Sequence, residues 1–234
     1  MKSRHKRKDE NAAHEMRTPL TTINGLLEGF EYDAIPEEAK PKSIALMHSE
    51  TKRLIRLVNE NLDYEKIRNN KISLIQSRFN ATEVLTNLLT QMKQKAIQKN
   101  DKLILNCPPE VEVYADKDRF TQIMVNLVQN ALQFTENGKI KISAWRIKHG
   151  AQFEIADTGI GMNQKQMKYI FERFYKADPS RAKIGSGESG LGLSIVLSLI
   201  KQHGGKIDVD SEPGKGAKFT VTLYDKGYKE FIKD

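Results

Sequence analysis

The chain has 234 residues, of which 38% are hydrophobic and 29% charged, a balance that fits a folded protein with one large core or two ordinary ones and excludes a disordered polymer. Its formal net charge is +8, with Lys2, Arg4, Lys6, Arg7 and Lys8 crowded at the start; no aromatics are interleaved there to stack bases, so nucleic acid is not an expected partner. No apolar run approaches the roughly 20 residues of a membrane helix, no apolar stretch follows the basic start as in a signal peptide, and one cysteine, Cys107, excludes an internal disulfide framework.

The basic start reads either as a solvated helix end or as a segment lying against an anionic membrane surface. After it, apolar residues fall at Met16, Leu20, Ile23, Leu27 and Phe30, and the rhythm returns at Ile44, Met47, Thr51, Leu54, Val58 and Asn61. Alternating steps of four and three are the seam of helices packed at a shallow angle. Asp33 to Pro36 makes a turn between them, and Pro41 is tolerable only near the start of the second helix. Two helices alone enclose little apolar surface, so the seam predicts a second copy and a dimeric four-helix bundle. "IRNNKIS" at 67–73 breaks the pattern, which sets a helical domain at 1–68, a linker at 69–78 and a second domain at 79–224.

In the second domain Asn80, with Glu83 three residues on, reads as a capping-box helix start. "KLILN" and "VEVYA" read as short strands, and a helix follows from Asp116 to Phe134. "KIKISAWRI" and "AQFEIAD" alternate as a hairpin around His149 and Gly150. "GLGLSIVLSLIKQHGG" is an apolar helix closed by a glycine pair, and "KIDVDSEPGKGAKFTVTL" a final hairpin. These elements predict an α/β sandwich, one mixed sheet with helices on one face, and an α+β chain overall. Residues 225–234 are expected to be a loosely held tail.

Two glycine clusters, "DTGIGM" at 157–162 and "GSGESGLGL" at 185–193, lie in this domain. Neither is a dinucleotide fingerprint or a Walker motif. Gly159 and Gly161 permit either a sharp turn or close approach of a flat ligand, and Asp157 could accept from an exocyclic amine. Gly187, Gly190 and Gly192 precede a helix whose N-terminus suits phosphate. Asn126 and Asn130 stand at i and i+4 while Ile123, Leu127 and Ala131 face the core, so the pair is either a solvated polar face or a set of neutral oxygen ligands for Mg²⁺. Together the clusters suggest a nucleotide.

In chain order, "HEMRTPLT", "NLVQNALQFT", "DTGIGM", "IFERFYKAD" and "GESGLGLSIV" resemble the H, N, first glycine, F and second glycine boxes of sensor histidine kinases. The resemblance spans residues 11–223. It implies a dimerising, phosphoaccepting helical hairpin and a catalytic ATP-binding domain of the Bergerat type, the fold shared with DNA gyrase and the heat-shock chaperones. The implied activity is ATP-dependent autophosphorylation of a histidine and relay to an aspartate in the receiver domain of a response regulator, with regulator phosphatase activity besides. ATP and Mg²⁺ are the implied cofactors, and the implied assembly is a homodimer.

Residue by residue, the resemblance makes His14 the phosphoacceptor and Glu15 the group that orients its ring and helps remove the proton. Thr18, one turn on, would place water for dephosphorylating the regulator, and Pro19 would loosen the helix. Asn130 would hold Mg²⁺, with Asn126 near the phosphates. Asp157 would accept from the adenine amine, beside Gly159 and Gly161. Arg173 would neutralise charge on the γ-phosphate. Lys176, Gly187, Gly190, Leu191 and Gly192 would complete the nucleotide contacts.

The chain departs from the family pattern at Gln133, where a basic residue is usual, and at Ala217, where threonine is common. Gln133 keeps two rivals open, a chain that is mainly a regulator phosphatase and a nucleotide-binding scaffold without kinase activity. His5, His48 and His149 read as surface histidines, Cys107 as a small buried hydrophobe, and His203 as a cation favoured by a helix end. A zinc site at His14 lacks a second ligand at the needed spacing. The expected location is the cytoplasm. The chain is either the cytoplasmic portion of a membrane-anchored receptor, its sensor and membrane segment lying outside these residues, or a chain whose input comes from a separate protein.

Overall fold

A computed structural model describes residues 2–68, 73–175 and 190–228. They fall into two compact units, one built from the chain up to Lys66 with Glu172–Leu191, the other from Ile67–Phe171 and the chain from Gly192 on.

The first unit contains helices α1 (Lys2–Glu31) and α2 (Lys40–Arg68). Asp33 takes a left-handed backbone (φ 50°) between them, the Ala34 N–H returns to the Gly29 carbonyl, and Pro41 falls in the first turn of α2, where it lacks no needed donor. Pro19 lies buried inside α1.

The heptad seam is not one buried line. Met16, Ile23, Phe30, Met47, Leu54 and Asn61 are half-buried, whereas Leu20, Leu27, Ile44 and Val58 are open, together with Ile55 and Leu62. Leu57, off the seam, is fully buried. An apolar arc on a helix is wider than one row of positions, and a single hairpin partner covers only part of it.

The second unit holds β1 (Gln76–Asn80), α3 (Ala81–Gln98), β2 (Lys102–Asn106), β3 (Glu112–Asp116) and α4 (Lys117–Phe134). The hairpin β4 (Lys139–Ile147) and β5 (Gly150–Asp157) follows, then α5 (Gln164–Tyr169), α6 (Gly192–Gln202) and the hairpin β6 (Lys206–Ser211) and β7 (Ala217–Tyr224). Five strands pair in the order β2-β4-β5-β7-β6, parallel between β2 and β4 and antiparallel elsewhere. Ile142, Ile155, Phe219 and Val209 lie in one register row across four strands. Odd positions of β5, from Ala151 through Phe153 and Ile155 to Asp157, face the core, while Gln152, Glu154 and Ala156 alternate outward.

Contrary to the single-sheet expectation, β3 leaves the main sheet and pairs antiparallel with β1 as a separate ribbon, Phe79 opposite Val113. The segment read as a linker at 69–78 therefore ends in paired strand at Gln76–Arg78. A chain of edge-to-face rings ties the ribbon to the core, Phe79 to Phe120 at 5.5 Å and Phe120 to Phe153 at 4.9 Å. Asn80 caps α3 as expected, but its side chain accepts from the Thr82 N–H, two residues on. Asp116 caps α4 through the Asp118 and Arg119 N–H groups at 3.1 Å, and its other oxygen takes the Ile75 N–H at 2.8 Å. Burial pushes that carboxyl up, yet these backbone donors outweigh it and hold it below the usual range.

One smaller expectation is overturned. His203 is not a cation at a helix end: its Nε2 accepts the Asp116 N–H at 3.1 Å while Nδ1 lies 2.7 Å from the Leu199 carbonyl, which requires the neutral ring. Burial lowers its affinity for a proton, against the bond to Leu199 and the charge of Asp116. Of the tail expected to be loose at 225–234, residues 225–228 are held, and 229–234 lie outside the described residues. Arg146 makes a two-pronged pair with Asp225 at 2.7 and 3.2 Å, and Tyr228 stacks on His149 at 4.4 Å. His149 is thus exposed but partnered, and Cys107 is half-buried with Sγ 3.8 Å from Thr82 Oγ1.

Candidate active site

His14 stands exposed in the middle of α1. Thr18, one turn on, bonds through its hydroxyl to the His14 carbonyl at 3.3 Å, so the two share a solvent-facing strip. Glu15 projects about 100° round the helix from His14, as successive helical side chains do. Its carboxylate meets Arg53 of α2 at 3.5 Å, and Arg53 also holds Glu50, which is buried, at 3.3 Å. The sequence places Glu15 beside His14, and the fold adds Arg53 and Glu50 behind it.

Asp157 ends the buried face of β5 and is only 8% exposed. Its Oδ1 accepts two backbone donors, the Gly159 N–H at 2.8 Å and the Ala217 N–H at 3.2 Å. Both bonds use one oxygen, and Oδ2 takes part in neither. Burial pushes this carboxyl above the usual range and the charge of Asp101 adds to the rise, while the two backbone donors pull the other way.

The loop after Asp157 has no room for a side chain at either of its glycines. A Cβ on Gly159 would strike the Phe134 carbonyl, and one on Gly161, whose φ is +64°, would strike the Glu212 carbonyl. Ser211 fastens the loop from the other side, accepting the Met162 N–H at 2.8 Å and donating to the Gly216 carbonyl at 2.7 Å. Ser211 and the Ala217 amide are parts of the site that motif spacing misses, because one is a generic strand residue and the other acts through its backbone.

Asn126 and Asn130 are half-buried on α4, while Ile123, Leu127 and Ala131 of the same helix are buried. A Cβ on Gly192, at the start of α6, would sit 3.4 Å from Asn126 Oδ1. The amide of Asn126 therefore lies against a helix N-terminus, the end that favours negative charge. Leu191 is fully buried. Gln133 gives its carbonyl to Lys99 Nζ at 2.8 Å, and Leu132 does so at 2.6 Å, so a lysine of α3 caps this end of α4.

Arg173 is not free to meet a ligand in this arrangement. Its Nη2 donates to Asn61 Oδ1 at 2.6 Å and its Nη1 lies 3.1 Å from Glu65 Oε1. Lys176 and Gly187 lie outside the described residues, and Gly190 accepts the Phe174 N–H at 3.0 Å.

The described residues thus form a helical hairpin and a mixed α/β sandwich. Residues 10–70 match the His Kinase A (phospho-acceptor) domain, and residues 115–227 match the histidine kinase-, DNA gyrase B- and HSP90-like ATPases. The chain belongs to the sensor histidine kinases of two-component systems.

Sensor histidine kinase YclK of Bacillus subtilis (strain 168) is 46% identical over 213 residues, 91% of this chain and 45% of that protein. Among solved structures, full-length ShkA in complex with AMPPNP superposes with a TM-score of 0.69 at 29% identity, over 93% of this chain and 46% of that one. Histidine kinase ThkA in complex with response regulator protein TrrA gives 0.73 at 28% identity, over 91% and 59%. The chain spans less than half the length of the curated relatives it matches. No described helix is long and apolar enough to cross a membrane.

Proposed function

We propose that this chain is the core of an autokinase that transfers the γ-phosphoryl group of ATP to His14 and then to an aspartate of a response regulator. The observation that carries the reading is the exposed His14–Thr18 strip in the same chain as a buried carboxylate, Asp157, followed by two glycines, Gly159 and Gly161, that admit no Cβ. In the first step a neutral imidazole nitrogen of His14 attacks the γ-phosphorus, the bond to the bridging oxygen breaks and ADP leaves. Glu15 takes the ring proton, positioned from behind by Arg53. In the second step a regulator carboxylate attacks the same phosphorus and the N–P bond breaks. The nucleotide in the ShkA structure and the regulator in the ThkA structure support ATP and a receiver domain as partners of this chain.

Asp157 accepts from the adenine amine, and Asn126 faces the phosphates beside the α6 N-terminus. Magnesium fits Asn130 with Asn126: both offer neutral amide oxygens, and no group of three His, Cys, Asp or Glu side chains able to hold a metal occurs among the described residues. Such a site suits an ion shared with phosphate oxygens, which when bound would offset charge on the phosphoryl group. The open side of the seam at Leu20, Leu27, Ile55, Val58 and Leu62 supports a homodimer. Thr18 supports a second activity, positioning water for hydrolysis of the phosphorylated regulator. The working parts are a helical domain at 1–68 and a catalytic domain up to 224 that takes in β1 from Gln76, in a cytoplasmic setting.

Incubation with γ-labelled ATP and Mg²⁺ tests the reading. Label stable in alkali, lost in acid and absent from His14→Gln identifies a phosphoramidate on that residue. No label on a chain that binds ATP refutes the autokinase and leaves the phosphatase or scaffold.

A further inference from the structure

The surroundings of Arg173 do not match a side chain waiting for phosphate. The side chain is 5% exposed, with one nitrogen on Asn61, another on Glu65 and the Tyr64 ring 4.5 Å from its central carbon. Asn61, Tyr64 and Glu65 stand at i, i+3 and i+4 on α2, so helical periodicity alone puts an amide, a ring and a carboxylate on one face. These are three things a guanidinium takes well, namely a neutral acceptor, an anion and a π-face.

The turn that carries Arg173 is set in a demanding shape. Phe174 has φ +58°, uncommon for a bulky residue, and is held there by its N–H bond to the Gly190 carbonyl and by the Tyr175 N–H bond to the Glu172 carbonyl. Arg173 Nε is buried without a hydrogen-bond partner among the described residues. The slot thus satisfies the two outer nitrogens and leaves the inner one unmet.

We propose that Asn61, Tyr64 and Glu65 form a slot that sequesters Arg173, so that α2 and the terminal phosphate of a bound nucleotide compete for one guanidinium. The inference rests on the autokinase reading. A planar fork already filled by Asn61 and Glu65 does not present the same N–H groups to a phosphoryl oxygen. A phosphate with three oxygens offers acceptors to the outer nitrogens and to Nε together, so the exchange exposes no new unmet donor. Asn61 and Glu65 act through Arg173 and are positioning residues, and they favour the state in which the cation is withheld.

The slot predicts a signature that a merely structural ion pair does not have. Calorimetry on the full chain gives the affinities for AMPPNP and for ADP, which lacks the γ-phosphate. In Glu65→Gln the ratio of AMPPNP to ADP affinity rises about three- to tenfold, the range expected for loss of one competing charged partner. Asn61→Ala gives a rise of the same sign and serves as an independent reading should Glu65→Gln fold poorly. Neither substitution changes the ratio in an Arg173→Ala background. An unchanged ratio, or a rise that persists without Arg173, overturns the slot. Absence of His14 label in the unaltered chain overturns the autokinase instead, and the affinity ratio reads the slot either way.

Discussion

Glu15 and Arg53 meet across the hairpin at 3.5 Å, and that pair decides which way the neighbour of His14 faces. His14 is open to a visiting group while Glu15 is drawn back towards α2. Glu15→Gln is expected to slow His14 phosphorylation about 100-fold, the scale of a lost general base, with ATP affinity unchanged in calorimetry. A rate within twofold of the unaltered chain would rule out the base.

Arg53→Met removes the partner of the buried Glu50 and of Glu15 together. Leaving a buried carboxylate unmatched costs about 2–3 kcal/mol here, less than for a fully enclosed pair because Glu15 and Arg53 both keep some solvent contact. Urea unfolding at pH 7 measures the loss, and Glu50→Gln in the Arg53→Met background is expected to recover part of it.

Nucleotide affinity should weaken in acid because of Asp157. Burial raises its carboxyl above the usual range, so protonation begins at a higher pH than for an exposed aspartate and removes the acceptor an adenine amine needs. In the ligand-free chain the same shift works in reverse: stability gains from this group as pH falls from the folded value towards the unfolded one. Calorimetry between pH 7.5 and 4.5 should show ADP affinity falling in acid. Asp157→Asn should bind about 10- to 100-fold more weakly at pH 7.5, and its remaining affinity should lose most of the pH dependence.

His203 has a lowered proton affinity in the fold, so its contribution is fully present above the unfolded value of about 6.5 and is lost as pH falls towards the folded one. Protonating Nε2 also breaks the bond from the Asp116 N–H at the start of α4. The urea midpoint should drop between pH 7.5 and 5.5, and His203→Gln should flatten that slope. An unchanged slope in the variant would mean that other groups carry it.

Asp225 pairs with Arg146 and lies 3.6 Å from Arg78, and Arg146, then burial working the other way, sets its carboxyl below the usual range. The pair is partly open to water, which screens it, so Asp225→Ala should cost no more than about 1 kcal/mol. That stability is present above the unfolded carboxyl value of about 3.9 and disappears as pH falls below it, which acid titration of the unfolding midpoint checks.

Much of this was legible because it is periodic. The spacing of Ile123, Leu127 and Ala131 and the alternation of "AQFEIAD" marked the helix that carries Asn126 and the strand that ends at Asp157, while the burial of Asp157 emerged only in the fold. The ribbon was not legible, since "QSRFN" carries no alternating apolar signal and its partner Glu112–Asp116 is some thirty-six residues away. His203 misled for the same reason: its neutral form is imposed by the amide of Asp116, 87 positions distant. Tail residues Asp225 and Tyr228 find partners only once β4 and β5 are paired. Donors that belong to the main chain, such as the Ala217 amide, have no residue type by which to announce themselves.

The two glycines beyond Asp157 also bear on how a compound aimed at the proposed nucleotide site would age in use. Peptide backbone backs both glycines, the Phe134 carbonyl at the end of α4 behind Gly159 and the Glu212 carbonyl after β6 behind Gly161, and a single codon change cannot add a side chain at either without displacing those segments. If nucleotide binds there as proposed, a competitor that rests on those glycines and on Asp157 leaves resistance few routes.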